Sequence, residues 1–183
     1  MKVTPLGLDG ACVIDTTPRV DQRGTFSRLF CDRELREVHH GKPIVQINHS
    51  LTLKRGALRG LHFQRSPAVE GKLVRCLAGA IFDVVVDLRR GSGTFLQWHG
   101  EHLSGQNARM LYIPEGCAHG FQALEANVEV LYLHTGKYSP SHEGGVRHDD
   151  PLLGIDWPLP VTDLSDRDGS HPLLKSDFAG LVL

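Results

Sequence analysis

The segment Gly56–Gln64 holds the densest group of residues that could carry out chemistry. Its apolar residues give it a strand pattern, which Arg59 and His62 interrupt close together. An arginine that faces a core needs an anion to neutralise it, and a histidine takes up and releases protons near neutral pH. A lone strand histidine is as readily a hydrogen-bonded core residue, but the nearby arginine favours a site that binds an anion and moves a proton.

The glycine between these two residues decides whether they can act together. Alternate residues of a regular strand share a face, so Arg59 and His62 are expected on opposite faces. A glycine inside a strand often marks a β-bulge, which changes the direction of the side chains. We therefore expect a bulge at Gly60 to turn both side chains toward one cavity.

Three further polar residues lie in contexts that leave their roles open. Lys72 begins a predicted strand, where a lysine is usually exposed. Tyr132 shares a strand face with valines, and an inward tyrosine is usually a core residue with a bonded hydroxyl. His119 lies in a glycine-bounded loop, where it would be a hydrogen-bonding residue or a phosphate ligand.

The chain has 11 histidines, which raises the question of a metal site. Metal-binding cupin barrels need several converging histidine and carboxylate ligands, commonly including an His-x-His pair on one strand. No such pair occurs, and the adjacent His39 and His40 diverge on a predicted helix. We expect neither a metal nor another cofactor.

Composition excludes some classes of partner. The 183 residues carry a formal net charge of −1, so no general basic field attracts nucleic acid. No apolar run reaches the length of a membrane span, and the N-terminus has no signal-peptide core.

The four cysteines are widely spaced, which is typical of a reduced cytoplasmic protein. One domain over residues 1–183 is expected.

The elements that must position these residues are mostly short strands. Turn residues separate them, and strands at this spacing without intervening helices favour an antiparallel sandwich or a small barrel. A helix is predicted over Asp32–Gly41, with Asp32 as N-cap, and short helices are expected near the C-terminus. The predicted strands are Val13–Thr16, Thr25–Phe30, Ile44–Leu53, Ala57–Gln64, Lys72–Ala78, Ile81–Leu88, Phe95–Leu103, Arg109–Ile113, Gly120–Leu124 and Val128–His134.

Ordered motifs from about Val13 to Pro172 resemble those of the dTDP-4-dehydrorhamnose 3,5-epimerase family. They are Asp21-x-Arg23-Gly24-x-Phe26, Gln46-x-Asn48-x-Ser50, Leu58-Arg59-Gly60-Leu61-His62-Phe63-Gln64, Gly71-Lys72-Leu73-Val74-Arg75, Phe82-Asp83-Val84-Val85-Val86-Asp87, Tyr112-Ile113-Pro114-Glu115-Gly116-x-Ala118-His119-Gly120-Phe121 and Gly154-Ile155-Asp156-Trp157-Pro158. The resemblance implies an all-β, metal-free, cupin-like double-stranded β-helix (jelly-roll) barrel with a few short helices. It also implies a homodimer with an exchanged N-terminal segment.

The same resemblance implies the reaction and the residues that perform it. The substrate would be dTDP-4-keto-6-deoxy-D-glucose, inverted at C3 and C5, both α to the C4 ketone, in rhamnose-type deoxysugar biosynthesis. Such a reaction needs a base, an acid on the opposite face and a group that stabilises the enolate. The motifs assign these roles to His62 as base, Asp168 as its partner, Tyr132 as acid and Lys72 at the enolate oxygen.

Substrate-binding residues carry over in the same way. Arg23 and Arg59 would neutralise the diphosphate, and Tyr138 would stack on the nucleobase. The remaining matched contacts are Phe26, Arg28, Gln46, Asn48, His119, Glu143 and Arg167, the last in place of the family's usual lysine.

Arg28 departs from the family pattern, which has a glutamate there. An arginine cannot accept a hydrogen bond from thymine N3–H, but it suits the acceptor N3 of cytosine. A CDP-linked substrate is therefore an alternative, as is inversion at C3 alone. From other classes, the alternatives are a non-catalytic sugar-nucleotide-binding cupin and a metal-dependent cupin oxygenase. The complete set of acid, base and enolate-binding residues argues against the non-catalytic alternative.

Overall fold

The computed structural model describes residues 1–183 and consists mainly of two antiparallel β-sheets. The six-stranded sheet has the order β1-β2-β10-β7-β12-β5, and the five-stranded sheet has the order β13-β6-β11-β8-β9. The elements are β1 Lys2–Pro5, β2 Cys12–Asp15, β3 Arg19–Asp21, β4 Gly24–Phe26, α1 Asp32–Leu35, β5 Gln46–Thr52, β6 Leu58–Gln64, β7 Lys72–Ala78, β8 Ala80–Asp87, β9 Trp98–Ser104, β10 Arg109–Ile113, β11 Cys117–Ala123, β12 Val128–His134, β13 Glu143–Gly145 and α2 Asp166–Ser170.

The sheets pack face to face around an apolar interior. Val74 and Val130 come from the six-stranded sheet and meet Val85 and Phe121 from the five-stranded sheet in one buried cluster. The outer face of each sheet is covered as well: chain segments from the C-terminal third cover the five-stranded sheet, and α1 covers the six-stranded sheet. This is the cupin-like jelly-roll barrel expected from the family resemblance. Strand β8 lies between β11 and β9 and is buried on both faces, which explains its nearly continuous apolar sequence.

Several predicted element boundaries were wrong near the N-terminus. The helix ends at Leu35, and Cys31 is its N-cap residue in place of Asp32. The amides of Val38 and His39 both donate to the Leu35 carbonyl, so the chain continues as turns up to Gly41. The strand predicted over Thr25–Phe30 is confined to β4, which forms a separate hairpin with β3.

Two later strands, β9 and β11, each begin three residues away from the predicted position. Strand β9 begins at Trp98, because the hydroxyls of Ser92 and Thr94 bond to Asp87 and hold the preceding residues in turns. Strand β11 begins at Cys117, so His119 lies on a strand and not in a loop. Neither helix is long and apolar enough to cross a membrane.

Candidate active site

A cavity of about 1130 Å³ is lined by both sheets and by the C-terminal segment. Most of the residues singled out from the sequence line it. They are Gln46, Asn48, Arg59, His62, Lys72, His119, Tyr132, Tyr138, Glu143, Arg167 and Asp168.

His62 and Asp168 form a hydrogen-bonded pair in this cavity. The distance from His62 Nε2 to Asp168 Oδ1 is 2.7 Å, and the Gly60 amide donates to Asp168 Oδ2 at 3.1 Å. Ser165 caps α2 by accepting a hydrogen bond from the Asp168 amide, which fixes the start of the helix. Burial raises the pKa of Asp168, but the hydrogen bonds from His62 and Gly60 outweigh it and lower that pKa to about 2.

The ionised carboxylate determines the proton position on the imidazole. Asp168 accepts a hydrogen bond, so Nε2 of His62 carries the proton and Nδ1 keeps its lone pair. Arg167 Nη2 also lies 3.2 Å from Nε2, but a guanidinium only donates and so contributes charge here, not a second hydrogen bond. The free Nδ1 is therefore available as a base.

The predicted bulge at Gly60 is present. His62 pairs with His119 and Arg59 pairs with Phe121, so β6 uses one more residue than β11 over this stretch. His119 and Phe121 share a face, and the extra residue turns Arg59 and His62 to that face too. Gly60 has a φ of +122°, and a Cβ there would lie 2.5 Å from the Gly120 Cα, so only glycine fits.

Tyr132 comes from β12 in the opposite sheet from His62. Its hydroxyl lies 3.0 Å from Ser50 Oγ. Burial raises the pKa of the Tyr132 hydroxyl above its usual range, and the Ser50 contact offsets only part of this effect. The group is therefore a neutral hydroxyl that can donate a proton.

Two carboxylates that the sequence reasoning had not singled out hold the remaining polar groups. Glu70 lies 3.1 Å from Lys72 Nζ and 2.8 Å from His134 Nδ1. Asp83 is fully buried and lies 2.7 Å from His119 Nε2. Asp83 stands in an apolar strand, and a carboxylate there was a signal that a partner with a positive or donating group must face it.

The rim of the cavity contains an ion-pair cluster. Arg167 Nη1 lies 3.1 Å from both carboxylate oxygens of Glu143, and the Tyr138 hydroxyl donates to Glu143 at 3.0 Å. Arg59 is exposed and donates to Thr52 and to the Leu51 carbonyl. Together these groups give a polar, partly cationic entrance.

Three predicted substrate-binding residues are not brought to this cavity. Arg23 is 85% exposed and pairs with Asp21, and Phe26 is 75% exposed. Arg28 pairs with Glu34 and lines a separate small pocket beside the β3–β4 hairpin. The hairpin does not pack on the cavity of its own chain, so within one chain these residues do not form a site with His62.

One group of side chains has the composition of a metal site. His62, Asp168 and His171 each offer one ligand atom, all within 4.8 Å of one another. The Arg167 guanidinium beside His62 opposes a cation at this position. The expectation that the protein uses no metal stays a prediction.

Fold and site together define an acid–base enzyme built on a cupin barrel. A family model for dTDP-4-dehydrorhamnose 3,5-epimerase matches residues 5–176, and the chain belongs to this family of epimerases.

Individual relatives agree with this assignment. The dTDP-4-dehydrorhamnose 3,5-epimerase of Salmonella typhimurium is 46% identical, over 88% of this chain and 90% of the relative. The dTDP-4-dehydrorhamnose 3-epimerase of Streptomyces niveus is 41% identical, over 100% of this chain and 88% of the relative. Among solved structures, a 3,5-epimerase from Legionella pneumophila in complex with dTDP-4-keto-L-rhamnose has a TM-score of 0.91 and 38% identity, covering 100% of this chain and 98% of that one.

Proposed function

We propose that this epimerase inverts C3 and C5 of dTDP-4-keto-6-deoxy-D-glucose. The observation that carries the proposal is that His62, paired with Asp168, lies on one sheet and the neutral Tyr132 hydroxyl lies on the other. His62 Nδ1 removes a proton α to the ketone, and Asp168 stabilises the imidazolium that forms. Tyr132 then returns a proton from the opposite face. A non-catalytic binding protein has no use for such an arrangement.

The enolate needs stabilisation while it exists. A proton α to a ketone is far too weakly acidic to leave unless the developing oxyanion is bound. Lys72 supplies a cation in the cavity. Its ammonium group pairs with Glu70, which in turn contacts His134. We assign the enolate oxygen to Lys72, and to His119 a contact with the sugar or its phosphate.

The nucleotide is proposed to be dTDP. The guanidinium of Arg28, which motivated the CDP alternative, is engaged by Glu34. The relatives named above act on or bind dTDP sugars by name. Because they include both a 3,5-epimerase and a 3-epimerase, inversion at C3 alone stays the second candidate.

We also propose a homodimer in which the N-terminal hairpin reaches the neighbouring subunit. The edge strand β5 exposes Ile47, 61% accessible, and a second apolar patch lies on Phe26, 75% accessible. An exchanged hairpin would carry Arg23, Phe26 and Arg28 to the partner's cavity. The unpaired cysteines support a cytoplasmic location.

Solvent exchange tests the proposed reaction. The enzyme is incubated in deuterated water with dTDP- or CDP-4-keto-6-deoxyglucose, and proton NMR follows C3 and C5. We expect deuterium at both carbons with inversion, and faster with dTDP. Exchange at C3 alone identifies the narrower enzyme, and no exchange with either nucleotide contradicts the epimerase proposal.

A further inference from the structure

A row of three residues crosses the six-stranded sheet on the cavity side. In the strand register, His134 on β12 pairs with Lys72 on β7 and with Gln46 on β5. His134 therefore lies between the proposed enolate-binding lysine and a residue of the cavity rim.

Hydrogen bonds and one ion pair join this row into a continuous chain from the rim to Lys72. The Tyr138 amide donates to Gln46 Oε1 at 3.0 Å, and Gln46 Nε2 donates to Asn48 Oδ1 at 3.2 Å. Asn48 Nδ2 lies 3.3 Å from His134 Nε2. His134 Nδ1 then lies 2.8 Å from Glu70 Oε2, and Glu70 Oε1 lies 3.1 Å from Lys72 Nζ.

The direction of each hydrogen bond follows from the fixed donor at the rim. The Tyr138 amide can only donate, so the Gln46 oxygen faces it and the Gln46 amide group donates onward. The Asn48 oxygen accepts that bond, so its nitrogen donates to His134. His134 Nε2 must then be an acceptor.

The other end of the chain determines the state of the second nitrogen. The Glu70 carboxylate only accepts, so His134 carries its proton on Nδ1. A histidine with one donor and one acceptor nitrogen is neutral. The two ends together therefore require the neutral Nδ1–H tautomer of His134, and the whole chain is satisfied.

We propose that His134 is a positioning residue that holds Lys72 through Glu70 and joins it to the nucleotide rim at Tyr138. The proposal rests on the function assigned above to Lys72. Glu70 is the group that sets the place of the lysine ammonium, and its side chain is only 7% exposed. Without the hydrogen bond from His134, one oxygen of this buried carboxylate would have no partner, and the carboxylate would rotate to find one. The flexible Lys72 side chain would then move with it.

Two variants of His134 test its two ring nitrogens one at a time. In His134→Asn the amide nitrogen takes the place of Nδ1, so it still donates to Glu70 but no longer reaches Asn48. In His134→Gln the amide oxygen takes the place of Nε2, so it still accepts from Asn48 but leaves Glu70 without its donor. His102→Asn, on the exposed surface of β9, is the matched control.

The kinetic readout is a split between kcat and KM. Loss of one hydrogen bond predicts about a threefold to tenfold change. We expect His134→Asn to raise KM by that factor with little change in kcat, and His134→Gln to lower kcat by that factor with little change in KM. Equal losses in both variants would mean that His134 only supports the fold, and would overturn the proposal.

A second readout does not depend on catalysis. Nitrogen-15 NMR of labelled histidine at pH 8 should find His134 as the neutral Nδ1–H tautomer, assigned by the signal absent from His134→Asn. An Nε2–H tautomer or an imidazolium would overturn the proposal. If the wild-type enzyme gives no solvent exchange, the proposed function falls alone. The tautomer of His134 and the Kd for dTDP, which we expect to increase only in His134→Asn, do not depend on turnover. They then still decide the role of His134.

Discussion

His62 and Asp168 lie 2.7 Å apart between Nε2 and Oδ1 although 106 residues separate them in the chain. The contact joins the bulged strand β6 to the short helix α2 near the C-terminus. Gly60 takes part twice, because its missing Cβ permits the bulge and its amide holds the second oxygen of Asp168. The proposed base is thus assembled only when the C-terminal segment has docked on the barrel.

Replacement of Asp168 by asparagine should impair catalysis through the tautomer of His62. The Gly60 amide can only donate, so the asparagine oxygen would face it and the amide nitrogen would face His62 Nε2. His62 would then carry its proton on Nδ1 and lose its free base.

We expect kcat for solvent exchange to fall about 10²- to 10⁴-fold in Asp168→Asn. Asp166→Asn, an exposed neighbour on α2, should keep wild-type activity. A comparable loss in both variants, or none in Asp168→Asn, would argue against the orienting role.

The low pKa of Asp168 predicts a pH-dependent contribution to stability. A depressed folded pKa stabilises the folded state above the ordinary aspartate pKa, near ~3.9, and this contribution is lost as pH falls toward the folded value. The pKa of Asp168 in the folded protein is about 2. Burial raises this pKa, but the hydrogen bonds from His62 and Gly60 lower it by more.

The free energy of unfolding of wild type minus that of Asp168→Asn should therefore decrease by about 2 kcal/mol between pH 5 and pH 2. Urea denaturation at the two pH values measures it. A difference that stays constant would show that Asp168 is not held as a carboxylate.

Tyr132→Phe should separate proton removal from inversion. His62 keeps its free nitrogen, so it can remove the α-proton and return deuterium to the same face, whereas the acid on the opposite sheet is missing. We expect deuterium at C3 or C5 without inverted product, at a reduced rate. Inversion at the wild-type rate would remove Tyr132 from the role of acid. Ser50→Ala, which removes only the partner of the hydroxyl, should keep inversion.

The exchanged hairpin predicts complementation between two inactive variants. Arg23→Ala lacks an arginine that would act in the partner's cavity, and His62→Ala lacks the base in its own. A mixed dimer would combine the intact His62 of one subunit with the intact Arg23 of the other in one native site. Mixing the two variants after brief unfolding should restore activity that neither has alone. Persistent inactivity in mixed dimers, verified by mass, would contradict the exchange.

The sequence supported the fold because its main signals are local. Alternating strands and turn residues predict an antiparallel barrel, and the bulge at Gly60 follows from one glycine between two polar residues. The helix near Asp32 was predicted too long. Residues 36–41 include good helix formers, and their types do not show that two amides, those of Val38 and His39, both donate to the Leu35 carbonyl.

The site needed more than local signals. Asp168 was assigned only through the family resemblance, since no spacing rule brings together residues so far apart. His134 was not singled out, because only the register of β7 with β12 puts it beside Lys72, and Glu70 was missed because its contact with His134 depends on the same register. Arg23 and Phe26 were expected in the cavity, and a single chain leaves them exposed.

The central claim is that His62 is the base that removes the α-protons. The most direct measurement is deuterium incorporation at C3 and C5 of dTDP-4-keto-6-deoxyglucose by His62→Asn, compared with wild type, in protein whose circular dichroism is unchanged. We predict that exchange at both carbons falls about 10²- to 10⁴-fold or below detection. Exchange at the wild-type rate in the folded variant would contradict the account.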